Sequence, residues 1–378
     1  MASKVTDASS FASLGLTDAS RLSLLDLALN RPCSTESSSS SVPSVLVCGD
    51  GNFSYALALA QHSAAAGRAV DITATCFLSG DELEATHPAA PDNITALLTI
   101  PRVAVHTGVD ATSVHERFAH ASFDRVVFNF PQHPERKKIQ RHRELLAGFF
   151  GSAACLLKPS VGDGGSGSGD SGGQVWVTLK GGQGGSGAEL AGFHGRPYGT
   201  TWMSQEMAAG SGLVLACAAE ANVGELEAGG YRSVGFRGSD KSFFTPGSLV
   251  HVFCWPGDLG RLASSGLGSG SVLHPLVWRH DLCFWVDDPL TFSPSSLAAF
   301  LRLRLGPHGL AFAAEPFDEY TDPSTGRQSR GFHVDIWAEQ RAITKVTVKC
   351  SLVHFSRFRR LPISLMRADC APLRPSSL

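Results

Sequence analysis

Two short stretches of the chain hold residue types suited to binding and altering a small ligand. The first is Ser44-Val45-Leu46-Val47-Cys48-Gly49-Asp50-Gly51-Asn52-Phe53-Ser54. Gly49 and Gly51 let the backbone turn sharply and approach a ligand closely. Ser54 can cap a helix whose free N–H groups and positive dipole end then face that ligand. Any tight strand-to-helix turn uses glycine in the same way, so the pair alone is ambiguous. The second stretch, Asn129-Phe130-Pro131-Gln132-His133, puts an amide, an aromatic face, a stiffening proline and a histidine on one loop. Its amide carbonyl or its imidazole can accept a proton, and Phe130 can stack on a flat ring. The plainer readings are an exposed loop histidine and a phenylalanine that closes the core. Asp110 also reads two ways, as a side chain for a ligand's polar atoms or as the N-cap of a helix begun at Ala111-Thr112-Ser113-Val114.

Both stretches need elements to aim them. Short β-branched and apolar runs at 45–48, 70–77, 103–106, 125–130, 175–179, 213–218 and 249–254 read as strands, and runs with three- and four-residue apolar spacing between them, such as 141–157, read as helices. Alternation of this kind implies an α/β fold, a Rossmann-like parallel sheet with helices on both faces, and brings the two loops to one rim at the carboxyl ends of the strands. Asp81 and Glu82, after the second strand, read best as a helix start. Gly/Ser composition predicts flexible loops at 161–173 and 181–187.

The chain divides by composition into a flexible Ser-rich leader at 1–43 with one amphipathic candidate near Leu22 to Leu29, a first domain at 44–257, a Gly/Ser linker at 258–272 and a smaller α+β domain at 273–370. In the last of these, a strand at 281–286, a helix at 295–305 capped by Ser295 and ended by Gly306, and strands at 310–320 and 332–337 suggest a ferredoxin-like arrangement. Nine cysteines, none in a Cys-x-x-Cys pair, suggest reduced thiols in an intracellular protein and no structural metal. No apolar run approaches the ~20 residues of a membrane span. Net charge is −2, yet residues 273–378 hold 13 Lys+Arg against 10 Asp+Glu, a mild basic bias compatible with nucleic acid or with a plain solvated surface. Arg136, Lys137, Lys138, Arg141 and Arg143 cluster after the second loop. They read equally as phosphate contacts or as a solvated helix face. Lys180, closing the fifth strand, is a further phosphate candidate.

Taken in order, Gly49-Asp50-Gly51-Asn52-Phe53-Ser54, Val109-Asp110-Ala111-Thr112, Phe123-Asp124-Arg125-Val126-Val127-Phe128-Asn129-Phe130-Pro131 and Val175-Trp176-Val177-Thr178-Leu179-Lys180 resemble the eukaryotic family of rRNA uridine-N3-methyltransferases. The resemblance covers most of the first domain. It implies a class I methyltransferase that binds S-adenosyl-L-methionine through Gly49, Asp50, Gly51, Asn52, Phe53, Ser54 and Asp110. The loop of Asn129, Phe130, Pro131 and His133 is similar to the Asn/Asp-Pro-Pro-aromatic loop with which amino-group methyltransferases hold a planar nitrogen beside the donor methyl. Uridine N3 must lose its proton for attack, a task for His133 or the Asn129 carbonyl. The second strand departs from the common pattern, because Cys76-Phe77-Leu78-Ser79-Gly80 replaces an immediate acid for the ribose.

Arg279-His280-Asp281-Leu282-Cys283-Phe284-Trp285, then Phe317-Asp318-Glu319-Tyr320-Thr321-Asp322-Pro323-Ser324-Thr325-Gly326-Arg327-Gln328-Ser329, then Arg341-Ala342-Ile343-Thr344 look like the ferredoxin-fold anticodon-binding domain of phenylalanyl-tRNA synthetases. That resemblance implies RNA contacts from Arg327 and Arg341. Instead of an acidic helix start, Thr344 is followed by Lys345-Val346-Thr347-Val348-Lys349. The expected partner is rRNA or tRNA, in the nucleolus or cytoplasm, since Asp7, Asp18, Asp26 and Glu36 count against a mitochondrial transit peptide. The rival expectation is a non-catalytic RNA-binding factor that keeps the Rossmann shell.

Overall fold

The computed structural model describes residues 22–26, 42–133, 135, 138–159, 172–187, 197–235, 242–243, 245–286 and 293–357. The chain forms two compact units, one within Leu16–His274 and one whose described part begins at Pro275.

In the first unit the strands are β1 Ser44–Cys48, β2 Asp71–Thr75, β3 Val103–His106, β4 Arg125–Asn129, β5 Gln174–Leu179, β6 Val214–Glu220 and β7 Leu249–Cys254. The helices are α1 Ser54–Ala65, α2 Gly80–Thr86, α3 Ala90–Leu98, α4 Ile139–Leu156, α5 Ser204–Ala209, α6 Val223–Ala228 and α7 Leu259–Ser264. The strands lie in the order β3-β2-β1-β4-β5-β7-β6. This is the doubly wound α/β architecture expected of a class I methyltransferase. All neighbours are parallel except that β7 runs antiparallel to β5 and β6. The chain leaves β6 at the carboxyl rim and re-enters β7 without crossing a face, which forces the reversal. Every residue of β5 is buried, as a strand covered on both faces requires. Phe149 and Phe150 of α4 pack on it with Phe128 and Phe253, the Phe128 and Phe149 rings 5.0 Å apart.

Strand order reverses between β1 and β4, where the ladder pairs Cys48 with Phe128. The next residues, Gly49 and Asn129, therefore leave the sheet side by side. Gly49 has φ +64°, and a Cβ there would lie 2.6 Å from Phe128 Cε2. Gly49→Ala is accordingly expected to destabilise the unit by about 2–4 kcal/mol, left-handed strain plus overpacking, read as a lowered denaturant midpoint.

Several expectations are corrected. Residues 22–26 of the predicted leader are docked: Leu22 N–H donates to Glu220 O at 2.9 Å, Asn222 N–H donates to Leu22 O at 3.0 Å, and Leu24 and Leu25 are buried. Two leucines supply enough apolar area to hold the segment; the rest of 1–41 lies outside the described residues. Residues 181–187 are mostly buried rather than loose. Trp202 N–H donates to Gln183 O and Ser204 N–H to Gly184 O, and a Cβ at Gly185 would lie 2.2 Å from Thr201 Oγ1. Glycine there serves close packing. The stretch 161–171 lies outside the described residues. The expected linker at 258–272 is packed in the first unit, where α7 buries Leu259 and Leu262, Leu267 is buried behind it, and Leu273 N–H donates to Leu215 O at 2.8 Å.

The second unit consists of β8 Trp278–Val286, α8 Pro294–Leu305, β9 Ala311–Thr321, β10 Gln328–Trp337 and α9 Lys345–Arg357, its antiparallel sheet ordered β8-β10-β9. Leu297, Leu301 and Leu305 of α8 pack on Phe284, Phe332, Val334 and Ile336. Ser293, not Ser295, caps α8, its Oγ accepting the Ser296 N–H at 3.2 Å. Residues 358–378 lie outside the described residues.

Candidate functional site

Gly49 to Phe53 form the turn from β1 into α1. Asp50 N–H donates to Thr75 O at 2.9 Å, and the Asp50 carboxylate accepts the Ala56 N–H at 2.8 Å. Asn52 Oδ1 accepts the Ser54 N–H at 3.1 Å, while Asn93 Nδ2 donates to Asn52 O at 2.8 Å. The helix start is thus satisfied by Asp50 and Asn52, not by the expected Ser54. Ser54 lies inside α1 and exchanges hydrogen bonds with the Arg232 backbone, donating to its carbonyl at 3.2 Å and accepting its N–H at 3.0 Å. Phe53 adopts φ +61° and is fully buried.

Across the switch point, β4 ends on Asn129 and Phe130. Thr178 Oγ1 donates to Asn129 Oδ1 at 2.7 Å, so one of the two lone pairs of the carbonyl expected to act as an acceptor is already engaged. Asn129 Nδ2 is buried and makes no well-formed hydrogen bond among the described residues, although it lies near the Tyr55 hydroxyl. Phe130 sits at φ +52°, its N–H donates to Thr178 O at 2.8 Å, and its ring meets that of Phe243 edge-on at 4.8 Å. A non-glycine residue in the left-handed region is strained, and such strain gathers at functional sites. His133 Nδ1 accepts the Glu135 N–H at 3.1 Å. A neutral His133 ring therefore carries its proton on Nε2 and offers a donor there, which weakens its expected role as base.

These loops enclose a cavity of about 630 Å³, bordered by Gly49, Asp50, Gly51, Asn52, Asp110, Asn129, Phe130 and His133. Among the predicted catalytic and donor-binding residues Phe53, Ser54 and Pro131 do not line it: Phe53 and Pro131 are buried and Ser54 braces the wall. Asp110 borders the cavity, and its Oδ1 accepts the Thr112 N–H and hydroxyl, each at 2.8 Å, in a turn; the helix expected to begin at Ala111 is replaced by a 3-10 turn at Val114–Glu116 with Ser113 at its N-cap. Asp81 and Glu82 begin α2, where Ser79 and Glu82 form a reciprocal cap.

Burial pushes the Asp50 carboxyl up to about 6, partly opposed by the backbone N–H groups of Ala56, Tyr55 and Phe53. An acid whose folded pKa is raised favours folding below its unfolded value near 4 and loses that contribution as pH climbs through 6. Relative to Asp50→Asn, the wild type is expected to lose on the order of 3 kcal/mol of stability between pH 4 and pH 7, measurable by denaturant titration at both pH values.

The basic cluster is only partly brought to the site. Lys138 pairs with Glu135, and Arg141 pairs with Glu144 at 2.8 Å beside the cavity wall that Glu144 lines. Arg143 is spent on structure, its guanidinium donating to Thr201 O and Gly199 O at 2.7 Å. Lys180 is exposed and does not line the cavity; Lys137 lies outside the described residues. In the second unit Arg327 lies over the Trp285 ring at 4.9 Å and Arg341 donates to His308 O at 2.9 Å.

The sequence reading missed much of the wall, including Tyr55, Phe77, Leu78, His87 and, from the segment after α6, Tyr231, Arg232, Val234 and Phe243. The Gly229-Gly230 break ahead of Tyr231 marks a turn but not where the chain goes next. Among the described residues no His, Cys, Asp and Glu group is arranged to hold a metal, and no helix is long and apolar enough to cross a membrane.

Residues 46–225 match the model of the BMT5-like family, described as rRNA (uridine-N3-)-methyltransferase. The chain is 34% identical over 217 residues to human ferredoxin-fold anticodon-binding domain-containing protein 1, an alignment covering 55% of this chain and 30% of that protein. The mouse homolog is 32% identical over 211 residues, with the same coverage. The chain thus aligns with under a third of the length of these curated relatives. Among solved structures, a fibrillarin pre-rRNA processing protein of Methanococcus jannaschii overlaps 57% of this chain and 66% of its own at 10% identity, with a TM-score of 0.31.

Proposed function

We propose that this chain, with its BMT5-like match at 46–225, is an S-adenosyl-L-methionine-dependent methyltransferase that acts on N3 of a uridine in rRNA. The observation that carries the reading is the shared cavity: the Gly49–Asn52 turn and the Asn129–Phe130 loop border one space at the topological switch point, where open α/β sheets bind their ligands. Its volume falls within the range of small-molecule sites. The residues present fit the donor. Gly51 leaves a bare backbone face toward Val234 and His87, Asp50 supplies a buried carboxyl for the cationic end, Asp110 stands at the β3 side for the adenine, and Phe77 and Leu78 offer an apolar slot.

Bound S-adenosylmethionine supplies an electrophilic methyl group on its sulfonium. The chain's own part is orientation and charge. Asn129 Nδ2, on an amide held by the Thr178 hydroxyl at its carbonyl side and without a well-formed hydrogen bond of its own among the described residues, donates to a uracil carbonyl beside N3. It stabilises the negative charge that spreads onto that oxygen as N3 releases its proton to solvent water. His133 Nε2–H supports the same anion, and Phe130 and Phe243 offer aromatic edges and faces to the base. Lys138 and Arg141 are the phosphate contacts in this reading. The second unit, proposed as a ferredoxin-like anticodon-binding-type domain, grips RNA through Arg327 and its neighbour Trp285.

The rival non-catalytic RNA-binding factor draws on one observation, that neither Asp81 nor Glu82 lines the cavity at the β2 end. Calorimetry with S-adenosylmethionine separates the two: the enzyme reading expects binding, and no heat at millimolar donor sinks it. Nucleoside mass spectrometry of rRNA and tRNA from cells with and without the protein then tests the substrate. Loss of 3-methyluridine from rRNA alone is expected, and its loss from tRNA alone would reassign the target.

A further inference from the structure

In nucleotide-binding α/β sheets an acid after the second strand takes the ribose hydroxyls. At that corner of this cavity the lining residues are Cys76, Phe77, Leu78 and His87. Glu82 is committed to the α2 cap, its carboxylate accepting the Ser79 N–H at 3.1 Å and the Ser79 hydroxyl at 2.7 Å. Asp81 does not reach the cavity. His87 ends α2, its backbone N–H donating to Leu83 O at 2.8 Å and its carbonyl accepting the Ala90 N–H at 2.9 Å. The imidazole faces the cavity. The residue is 5% exposed, and its ring makes no hydrogen bond among the described residues. Its Nε2 stands 3.6 Å from the point a Gly51 side chain would occupy, so the bare face of the glycine turn and the imidazole share one wall. Burial holds the ring's pKa below the ordinary histidine value, which keeps it neutral at physiological pH.

A buried polar side chain without a partner is unfavourable unless a ligand completes it. We propose that His87 is the ribose-recognising residue of this site, hydrogen-bonding a hydroxyl of the donor in place of the missing carboxylate. This deepens, and rests on, the S-adenosylmethionine reading of the cavity. A neutral imidazole suits a hydroxyl in either tautomer, because a hydroxyl both donates and accepts.

The test is calorimetry of the full chain with S-adenosylhomocysteine and its 2′-deoxy and 3′-deoxy forms, for wild type, His87→Leu and His87→Gln. Wild type is expected to bind at least one deoxy form about tenfold more weakly, one hydrogen bond's worth. His87→Leu should bind the parent compound about tenfold more weakly and lose the discrimination, with its thermal midpoint near that of wild type. His87→Gln, which keeps a hydrogen-bonding end, should retain part of it. Wild-type affinity in His87→Leu, or an undiminished deoxy penalty in both variants, overturns the proposal. If wild type binds neither S-adenosylmethionine nor S-adenosylhomocysteine at millimolar concentration, the donor reading itself fails and takes the ribose contact with it.

Discussion

A Gly51→Val chain is expected to bind S-adenosylmethionine at least about a hundredfold more weakly than wild type, a difference of roughly 2.7 kcal/mol, while melting at almost the same temperature. The two halves of that result have separate causes. Gly51 does not have a left-handed backbone, and a Cβ on it meets only side-chain ends, Val234 Cγ2 at 3.0 Å and His87 Nε2 at 3.6 Å. The fold absorbs the change by a small shift of Val234. The branched γ-carbons have nowhere to go except the cavity that Gly51 lines, where the turn must lie directly against the donor. Calorimetry gives the affinity, thermal unfolding the fold, and filter retention of rRNA fragments should stay unchanged. A chain that loses affinity and melting cooperativity together would show that the glycine serves folding instead, as Gly49 does.

Asn129→Ala is expected to lower the single-turnover rate of methyl transfer by about a hundred- to a thousandfold, the usual effect of removing one preorganised donor from a developing anion. Donor affinity should stay within about threefold. The amide sits at the end of β4 with its carbonyl held by Thr178 and its Nδ2 without a well-formed hydrogen bond among the described residues, so the free structure already holds the donor group it needs. The truncation also strips the Thr178 hydroxyl of its acceptor, a stability penalty of about 1 kcal/mol, too small to unfold the domain. Single-turnover assays with labelled donor decide the matter; an unchanged rate would move the anion-stabilising role to His133 or to water.

The sheet and the meeting of the two loops were legible because their determinants are local. The β-branched run before Gly49 and the one before Asn129 each specify a strand, and the rule for doubly wound sheets brings their ends together. What escaped the sequence depends on distant partners. Ser54 looks like a cap because it adjoins the helix, yet the Asp50 carboxylate reaches the Ala56 N–H first. Arg143 looks like a phosphate ligand until the carbonyls of Gly199 and Thr201 appear beside it. Residues 181–187 read as loose because composition cannot tell a glycine that frees the chain from one that lets neighbours close in, as Gly185 does with Thr201. Tyr231 and Val234 carry no local mark of their destination, since only the fold brings Arg232 against Ser54, 178 positions earlier.

That last tether bears on how such a site changes over time. By chain order 231–235 is an appendage of the outermost strand pair, yet by hydrogen bonding it roofs the first turn of α1. Lengthening or trimming a connection at the margin of the sheet would therefore reshape the ceiling of the chamber and leave its floor untouched. A lineage could retune what the chamber admits through one peripheral insertion, without disturbing the strands that form its base.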